Sequence, residues 1–190
     1  MKNKCVFLDR DGVLCTEVDY MHTPSQFHLI PGVVKALKCM KRKNFLLVVA
    51  TNQSGIARGY FTEEDVQKVN KRMIDELGKN RITLDRIYYC PHHPEGKGVY
   101  KKDCECRKPK PGMLELAAKE LDIDLKLSYM IGDKESDIMA GVNAGCKTIL
   151  VITGYGKKEL SRLRIDDHLE PDYVADDLYE ASKIILEEGE

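Results

Sequence analysis

The chain has 190 residues, of which 43% are hydrophobic and 32% are charged, and its formal net charge is −1. This length and apolar content predict one domain, residues 1–190, with a well-buried core. The charges are interspersed, so the sequence does not predict a nucleic-acid surface. It has no apolar run long enough for a membrane span, and no targeting segment precedes the first apolar run. We therefore expect a cytoplasmic protein, and the near-zero charge is compatible with a monomer.

Five apolar runs predict strands, and amphipathic segments between them predict helices. One helix is predicted over 31–43 and another over 62–77, with Thr62 and Asp65 as a capping box and Gly78 as the stop. Alternation of strands and helices predicts a parallel sheet covered on both faces, hence a three-layer α/β fold. The predicted strands are 6–8, 45–50, 86–89, 129–131 and 147–151.

The first strand runs directly into Asp9 and Asp11. Strand side chains alternate with period two, so both carboxylates are predicted to point at one site. Two such carboxylates repel each other unless a cation or a shared proton holds them, and Mg²⁺ prefers hard oxygen ligands of this kind. The alternative interpretation is a solvated acidic turn at the end of a strand.

Polar residues also follow two other predicted strands. Thr51 and Asn52 end the second strand, and Asp133 follows the fourth. Ligands of open parallel sheets bind at the carboxyl ends of the strands, so these side chains are predicted to share the site of Asp9. A simple turn is the other interpretation of Thr51 and Asn52, with Ser54 and Gly55 forming it.

Three of the seven cysteines cluster with a histidine in one loop. Cys5, Cys39 and Cys146 lie in or beside apolar patterns and are expected to be buried, whereas the environment of Cys15 stays open. Three thiols and an imidazole match a closed four-coordinate zinc site, and the alternative is a set of loop thiols or a disulfide. The zinc ligands predicted in this zinc loop, residues 90–106, are Cys90, His92, Cys104 and Cys106, with His93 as a substitute for His92.

Four motifs of the chain resemble, in the expected order, those of the haloacid dehalogenase (HAD)-type phosphatases. They are Asp9-Arg10-Asp11-Gly12-Val13, Thr51-Asn52-Gln53-Ser54-Gly55, Lys108, and Gly132-Asp133-Lys134-Glu135-Ser136-Asp137. The resemblance implies a Rossmann-like HAD fold with a central parallel sheet. The short connection between Asp11 and Thr51 predicts a capless member of the family. The zinc loop and the run from Cys106 to Met113 narrow the resemblance to phosphatases of sugar bisphosphates and to histidinol-phosphate phosphatases.

The resemblance implies a catalytic role for four side chains. Asp9 would attack phosphorus and form an aspartyl-phosphate, and Asp11 would act first as the acid and then as the base. Thr51 and Lys108 would stabilise the transferring phosphoryl group. The implied magnesium ligands are Asp9, Asp11 through its backbone carbonyl, Asp133 and Asp137.

Substrate contacts are expected from loops that frame the site. Arg107 is expected to grip a part of the substrate that does not react, such as a second phosphate. Lys134 is expected to hold Asp9 or the phosphate, although a solvated lysine is an alternative. The complete predicted substrate-binding set is Glu17, Val18, Asp19, Tyr20, Thr51, Asn52, Gln53, Ser54, Arg107, Lys108 and Lys134.

The sequence therefore predicts a magnesium-dependent phosphatase that acts on a small phosphorylated sugar and contains a structural zinc ion. A histidinol-phosphate phosphatase, or another hydrolase of small phosphate esters, is the first alternative. A zinc-stabilised binding module without turnover is the second, and the presence of both Asp9 and Asp11 argues against it. The charged segment 157–168 suggests no function, and 186–190 is expected to be a frayed helix end.

Overall fold

The computed structural model describes residues 2–166 and 169–188, with side chains described outside 164–166. Six parallel strands form one sheet in the order β3-β2-β1-β4-β5-β6. The α/β fold with a central parallel sheet is thereby confirmed. The strands are β1 (Cys5–Leu8), β2 (Leu46–Asn52), β3 (Arg86–Cys90), β4 (Tyr129–Gly132), β5 (Lys147–Val151) and β6 (Tyr173–Ala175).

The helices cover both faces of this sheet. Strand residues alternate between the two faces, so that Val6 and Leu8 belong to one apolar cluster while Cys5 and Phe7 belong to another. Helices α1 (Val33–Arg42), α3 (Glu63–Lys79) and α7 (Leu178–Glu188) pack on the first face. Helices α4 (Gly112–Glu120), α5 (Glu135–Ala144) and α6 (Gly156–Asp166) pack on the second, and the short α2 (Gly55–Arg58) follows β2.

All five predicted strands are present, but the structure adds β6 and corrects helix ends: α1 spans Val33–Arg42 and not 31–43, and α3 ends later than predicted. Helix α3 begins at the predicted capping box, where the Asp65 amide donates to Thr62 Oγ1 (3.3 Å). The prediction that it stops at Gly78 was wrong, because the helix continues to Lys79. The chain leaves the helical path at Arg81 instead, which has a φ of 60°.

The segment between β1 and α1, residues 9–32, packs on the sheet end and forms no large inserted domain. Leu14 and Phe27 are buried in the main core. Antiparallel pairing of Cys15 with Leu29 and a hydrogen bond from the Ile30 amide to the Leu14 carbonyl (3.1 Å) close the segment on itself. The expected capless arrangement is confirmed, and the sheet end beside Asp9 is framed by short loops.

Two cysteine predictions are confirmed and one is wrong. Cys5 and Cys146 are buried, as their apolar neighbours indicated, and Cys15 is buried as well. Cys39 is half-exposed, because it lies on the flank of α1 beside the core-facing Met40.

Most of the charged segment 157–168 belongs to helix α6. The part of it that follows Asp166, residues 167–168, lies outside the described residues. The tail predicted as a frayed end continues α7 to Glu188, and 189–190 also lie outside them. Within the described ranges, the structure has no helix with the length and apolar character needed to cross a membrane.

Candidate active site

Three carboxylates meet where the strand order reverses, between β1 and β4. Asp9 follows β1, Asp133 follows β4, and Asp137 lies in the first turn of α5. A hydrogen bond from the Asp9 amide to the Ile131 carbonyl (3.0 Å) extends the pairing of the two strands to this point. One oxygen of each carboxylate lies within 4.8 Å of the others. The strand ends thus concentrate negative charge at the position where such sheets bind ligands.

All three carboxylates are buried, and burial acts on their pKa values in the same direction. Burial raises the pKa of Asp133 to about 8 and also raises that of Asp137. Burial alone would raise the pKa of Asp9 too, but the charges of Lys108 and Lys134 more than offset it and lower that pKa. The cluster therefore depends on nearby positive charge to remain ionised.

The donor set fits a divalent cation. Among the described residues, Asp133 Oδ1 is buried and accepts no hydrogen bond, and the buried Asp9 Oδ1 has the Lys108 ammonium as its polar neighbour. A Cβ atom on Gly12 or Gly154 would lie 2.1 or 2.2 Å from Asp133 Oδ2, so the two glycines leave the space that this carboxylate needs. Buried carboxylate oxygens grouped around one point are the hard ligands that Mg²⁺ prefers.

Lys108 places its ammonium inside the carboxylate cluster. Its Nζ lies 3.1 Å from Asp9 Oδ1 and 2.6 Å from Asp137 Oδ1, and it donates to the Ala50 carbonyl at 2.7 Å. Burial lowers the pKa of Lys108, but the charges of Asp137 and Asp9 more than compensate and raise it. This lysine is a fixed positive charge next to the candidate nucleophile.

The carboxylate of Asp11 lies apart from this cluster and is held by two neighbours. Arg10 is fully buried and donates to both oxygens, through Nε (3.1 Å) and Nη2 (2.9 Å). Gln53 Nε2 donates to Asp11 Oδ2 at 3.0 Å and to Thr51 Oγ1 at 3.1 Å. Asp11 is thus linked to the end of β2 and faces the adjoining cavity.

A cavity of about 250 Å³ opens beside Asp11 and brings together most of the predicted substrate-binding residues. Val18 packs against the core instead, and Thr51 is buried behind Gln53. Arg107 and Lys108 do not line the cavity but are joined to its wall, because Asn52 is hydrogen-bonded to the Lys108 backbone. The lining residues are Asp11, Glu17, Asp19, Tyr20, Met21, Asn52, Gln53, Ser54, Gly55, Phe61, Lys134 and Tyr155.

Lys134 lies on one side of this cavity, paired with Glu17. Their Nζ and Oε2 atoms are 2.9 Å apart, and the ammonium also lies 4.7 Å from the centre of the Tyr155 ring. The Tyr155 hydroxyl donates to Asp19, and its amide donates to Asp133 Oδ2 at 2.8 Å. Sequence reasoning missed Tyr155. The available signal was its position just beyond the end of β5, at the same edge of the sheet as Asp9.

The zinc loop brings its four predicted ligands together. The three Sγ atoms are 3.1 to 3.4 Å apart, and His92 Nδ1 lies 3.2 to 3.8 Å from them. Ligands about 2.0–2.3 Å from a tetrahedral zinc ion are separated by about 3.3–3.8 Å, so the cluster has nearly this size. Burial raises the pKa of the Cys90 thiol and that of Cys106. The structure places His93 outside the cluster, 3.3 Å from Arg58.

Comparisons with known proteins agree with this geometry. A HAD-hydrolase-like family model matches residues 105–181. The D-glycero-β-D-manno-heptose-1,7-bisphosphate 7-phosphatase of Pasteurella multocida is 47% identical over 183 residues, which cover 96% of each chain. This chain belongs to the heptose-bisphosphate phosphatase family of HAD-like hydrolases. It is a phosphatase.

Other members of the heptose-bisphosphate phosphatase family support the assignment. The enzyme of the same name from Haemophilus influenzae is 52% identical over 153 residues, covering 80% of this chain and 83% of that one. A crystal structure of D,D-heptose 1,7-bisphosphate phosphatase from B. bronchiseptica, complexed with magnesium and phosphate, superposes with a TM-score of 0.87. It is 34% identical and covers 97% of this chain and 99% of its own. The HAD fold and its family are therefore established for the chain.

Proposed function

We propose that this phosphatase removes the 7-phosphate of D-glycero-D-manno-heptose 1,7-bisphosphate, as a step towards nucleotide-activated heptose for lipopolysaccharide or another glycoconjugate. The observation that carries the proposal is Asp9, buried beside Lys108 and two residues before Asp11, which lines a cavity of mostly polar residues. The enzymes from P. multocida and H. influenzae are both named for this bisphosphate in its β form. The position of Asp9 beside Lys108 thus supports the phosphatase chemistry, and the names of the two relatives separately support the substrate.

The proposed magnesium ligands are Asp9, the backbone carbonyl of Asp11, and Asp133. Asp137 already bonds the Lys108 ammonium and accepts from the Lys134 amide at 3.1 Å, so it fits a contact through water better than a direct one. When bound, Mg²⁺ supplies positive charge that offsets the repulsion between a carboxylate nucleophile and a phosphate. The structure containing magnesium and phosphate has the same fold over nearly its whole length.

In the first step, a carboxylate oxygen of Asp9 forms a bond to phosphorus as the bond to the sugar oxygen breaks. The ammonium of Lys108 neutralises charge on the transferring phosphoryl group, since it is already fixed 3.1 Å from Asp9. Thr51, the second-last residue of the neighbouring strand β2, donates its hydroxyl to a phosphoryl oxygen. Both groups are positioned before substrate binds, so little reorganisation accompanies the reaction.

Asp11 handles the proton in both half-reactions. It gives a proton to the departing sugar oxygen, and it then takes one from the water that attacks the aspartyl-phosphate. Its carboxylate lines the cavity, where either the sugar or the water can reach it. Arg10 and Gln53 fix its orientation through three hydrogen bonds and keep it apart from the metal ligands.

The sugar is proposed to occupy the cavity. Glu17, Asp19 and Lys134 offer charged groups to its hydroxyls, and Tyr20, next to Asp19, and Ser54, just after β2, also line the cavity. Arg107 is proposed to bind the phosphate that does not react. Its guanidinium donates to the His92 carbonyl at 3.3 Å, so the zinc loop sets its position.

Zinc is proposed to hold this loop and to take no part in the chemistry. All four candidate ligands come from the protein, which leaves no open position for substrate. The loop contains a single short 3₁₀ turn at Gly98–Tyr100 within the described residues, so a metal crosslink supplies order that secondary structure does not.

The decisive experiment measures phosphate release with Mg²⁺ from the α and β anomers of the heptose bisphosphate and from histidinol phosphate, with Asp9→Asn as the blank. A preference for either heptose bisphosphate that disappears in the blank supports the proposal, and the preferred anomer defines the substrate. Preference for histidinol phosphate would replace the proposed substrate. Release that persists in Asp9→Asn would refute the proposed nucleophile.

A further inference from the structure

Arg58 occupies a position between the cavity wall and the zinc loop. It ends α2, the helix that begins directly after the cavity residue Ser54. The preceding residue, Ala57, is hydrogen-bonded to the zinc loop: its carbonyl accepts from the Lys97 amide at 2.7 Å. A Cβ atom on Gly96 would lie 2.7 Å from Ala57 Cβ, so the two segments are in close contact.

Arg58 and His93 present hydrogen-bond donors to each other. The Glu95 amide donates to His93 Nδ1 at 3.1 Å, so in the neutral imidazole the ring proton resides on Nε2. Arg58 Nη2 lies 3.3 Å from that same Nε2. Two N–H groups therefore face each other without an acceptor between them, an arrangement that an anion oxygen would satisfy.

The guanidinium of Arg58 has a further hydrogen-bond donor that is not used. Its Nε is buried and, within residues 2–166 and 169–188, has no hydrogen-bond partner. Arg107 contacts the same loop, because its Nη1 donates at 3.3 Å to the carbonyl of His92, the residue that precedes His93. Both arginines are half-buried. Like charges beside one loop repel each other, and a bound anion offsets that repulsion.

We propose that Arg58 and His93 complete, with Arg107, the subsite for the non-reacting phosphate of the substrate. The inference rests on the proposed function, which requires a second phosphate on the sugar. Arg58 Nε and Nη2 and His93 Nε2 supply three donors, and the planar guanidinium suits two phosphate oxygens at once. Arg58 is thus a specificity residue: it selects a bisphosphate over a sugar with one phosphate.

The first test compares kcat/KM for the heptose 1,7-bisphosphate with kcat/KM for the heptose 7-phosphate. Arg58→Gln is expected to lower the ratio of the two values by about tenfold or more, since hydrogen bonds between charged groups are lost. Arg58→Lys keeps the positive charge but loses the planar guanidinium that can bind two phosphate oxygens, so it is expected to lower the ratio less. The control is Arg86→Gln, an exposed arginine at the start of β3 and far from the carboxyl ends of the strands. A fall that is equal for both esters would overturn the proposal.

A second test does not depend on turnover. Calorimetry measures binding of mannose 1-phosphate to Asp9→Asn protein, with and without Arg58→Gln or His93→Phe. Binding weakened about tenfold by Arg58→Gln, and less by His93→Phe, supports the subsite. Equal binding by all three proteins, or no binding to any, refutes it. If the wild-type chain does not hydrolyse the bisphosphate, the proposed substrate is wrong. The binding measurement, in contrast, tests only the anion subsite.

Discussion

Asn52 is joined to Lys108 by two hydrogen bonds between its side-chain amide and the lysine backbone. Asn52 Nδ2 donates to the Lys108 carbonyl at 3.0 Å, and the Lys108 amide donates to Asn52 Oδ1 at 3.1 Å. Asn52 therefore satisfies both backbone polar groups of a residue that is remote in sequence. The pair fixes the position from which the Lys108 ammonium reaches Asp9.

Replacing Asn52 should weaken both the fold and the reaction. Asn52→Ala leaves two backbone groups without partners, which costs about 1–3 kcal/mol of unfolding free energy, and it lowers kcat by releasing Lys108. The matched control is Asn143→Ala, which removes a single exposed hydrogen bond to the Pro109 carbonyl (3.0 Å). Denaturant unfolding and phosphate release measure the two effects, and equal behaviour of the two variants would contradict the role given to Asn52.

Removing the Lys108 charge should destabilise the metal-free protein. Lys108→Met leaves Asp9 and Asp137 buried without their shared cation, a loss of about 3–5 kcal/mol, and it should lower kcat about 100-fold. Added Mg²⁺ should recover part of the stability, because it supplies charge to the same carboxylates. Thermal melts with and without Mg²⁺ measure this recovery. Lys110→Met, a change at a half-exposed position two residues away, should show neither effect. A Lys108→Met protein as stable as wild type would refute the prediction.

The metal-free protein should lose stability as the pH rises towards 8. Burial raises the pKa of Asp133 to about 8, whereas an unfolded aspartate titrates near about 4. Between these values the folded state binds a proton that the unfolded state releases. Stability from this group is thus complete below about pH 4 and falls by up to about 1.4 kcal/mol per pH unit until it is lost above about pH 8.

Thermal unfolding in chelator at about pH 5.5, 7 and 8.5 measures this slope. Asp133→Asn should make the dependence of stability on pH less steep. Part of the dependence that remains should come from Asp137, because burial also raises the pKa of that carboxyl. Because bound Mg²⁺ must displace the Asp133 proton, its affinity should increase over the same pH range. An affinity independent of pH would argue against Asp133 as a ligand.

Zinc should affect stability without entering the chemistry. Cys104→Ser removes one of four ligands, and we expect lower zinc content by elemental analysis and a melting temperature lower by about 10 °C. Cys39→Ser, a half-exposed thiol outside the cluster, is the control. Chelation of Mg²⁺ should instead stop turnover reversibly and leave the fold intact. A Cys104→Ser protein with full zinc content and unchanged stability would rule out the proposed ligand set.

The fold and much of the site geometry could be predicted from the sequence because they depend on local patterns. Apolar runs determined five strands, and parallel strand ends required Asp9 and Asp133 to meet. The strand β6 was missed because its three residues, Tyr173–Ala175, are too few to show a pattern. The pairing of Glu17 with Lys134 and of Arg58 with His93 also lay beyond sequence reasoning, since each joins distant segments whose side-chain directions the chain alone does not define.

The buried groups proposed for the chemistry and the groups proposed for recognition belong to different parts of the molecule. Asp9, Asp133 and Lys108 are at most 4% exposed, at the end of the sheet, whereas Asp19 and Tyr20 lie on an exposed loop. A loop can accept substitutions and insertions without disturbing the strands beneath it. New substrate ranges could therefore be introduced by exchanging residues 17–20 and the zinc loop between relatives, while the phosphoryl-transfer apparatus is inherited unchanged.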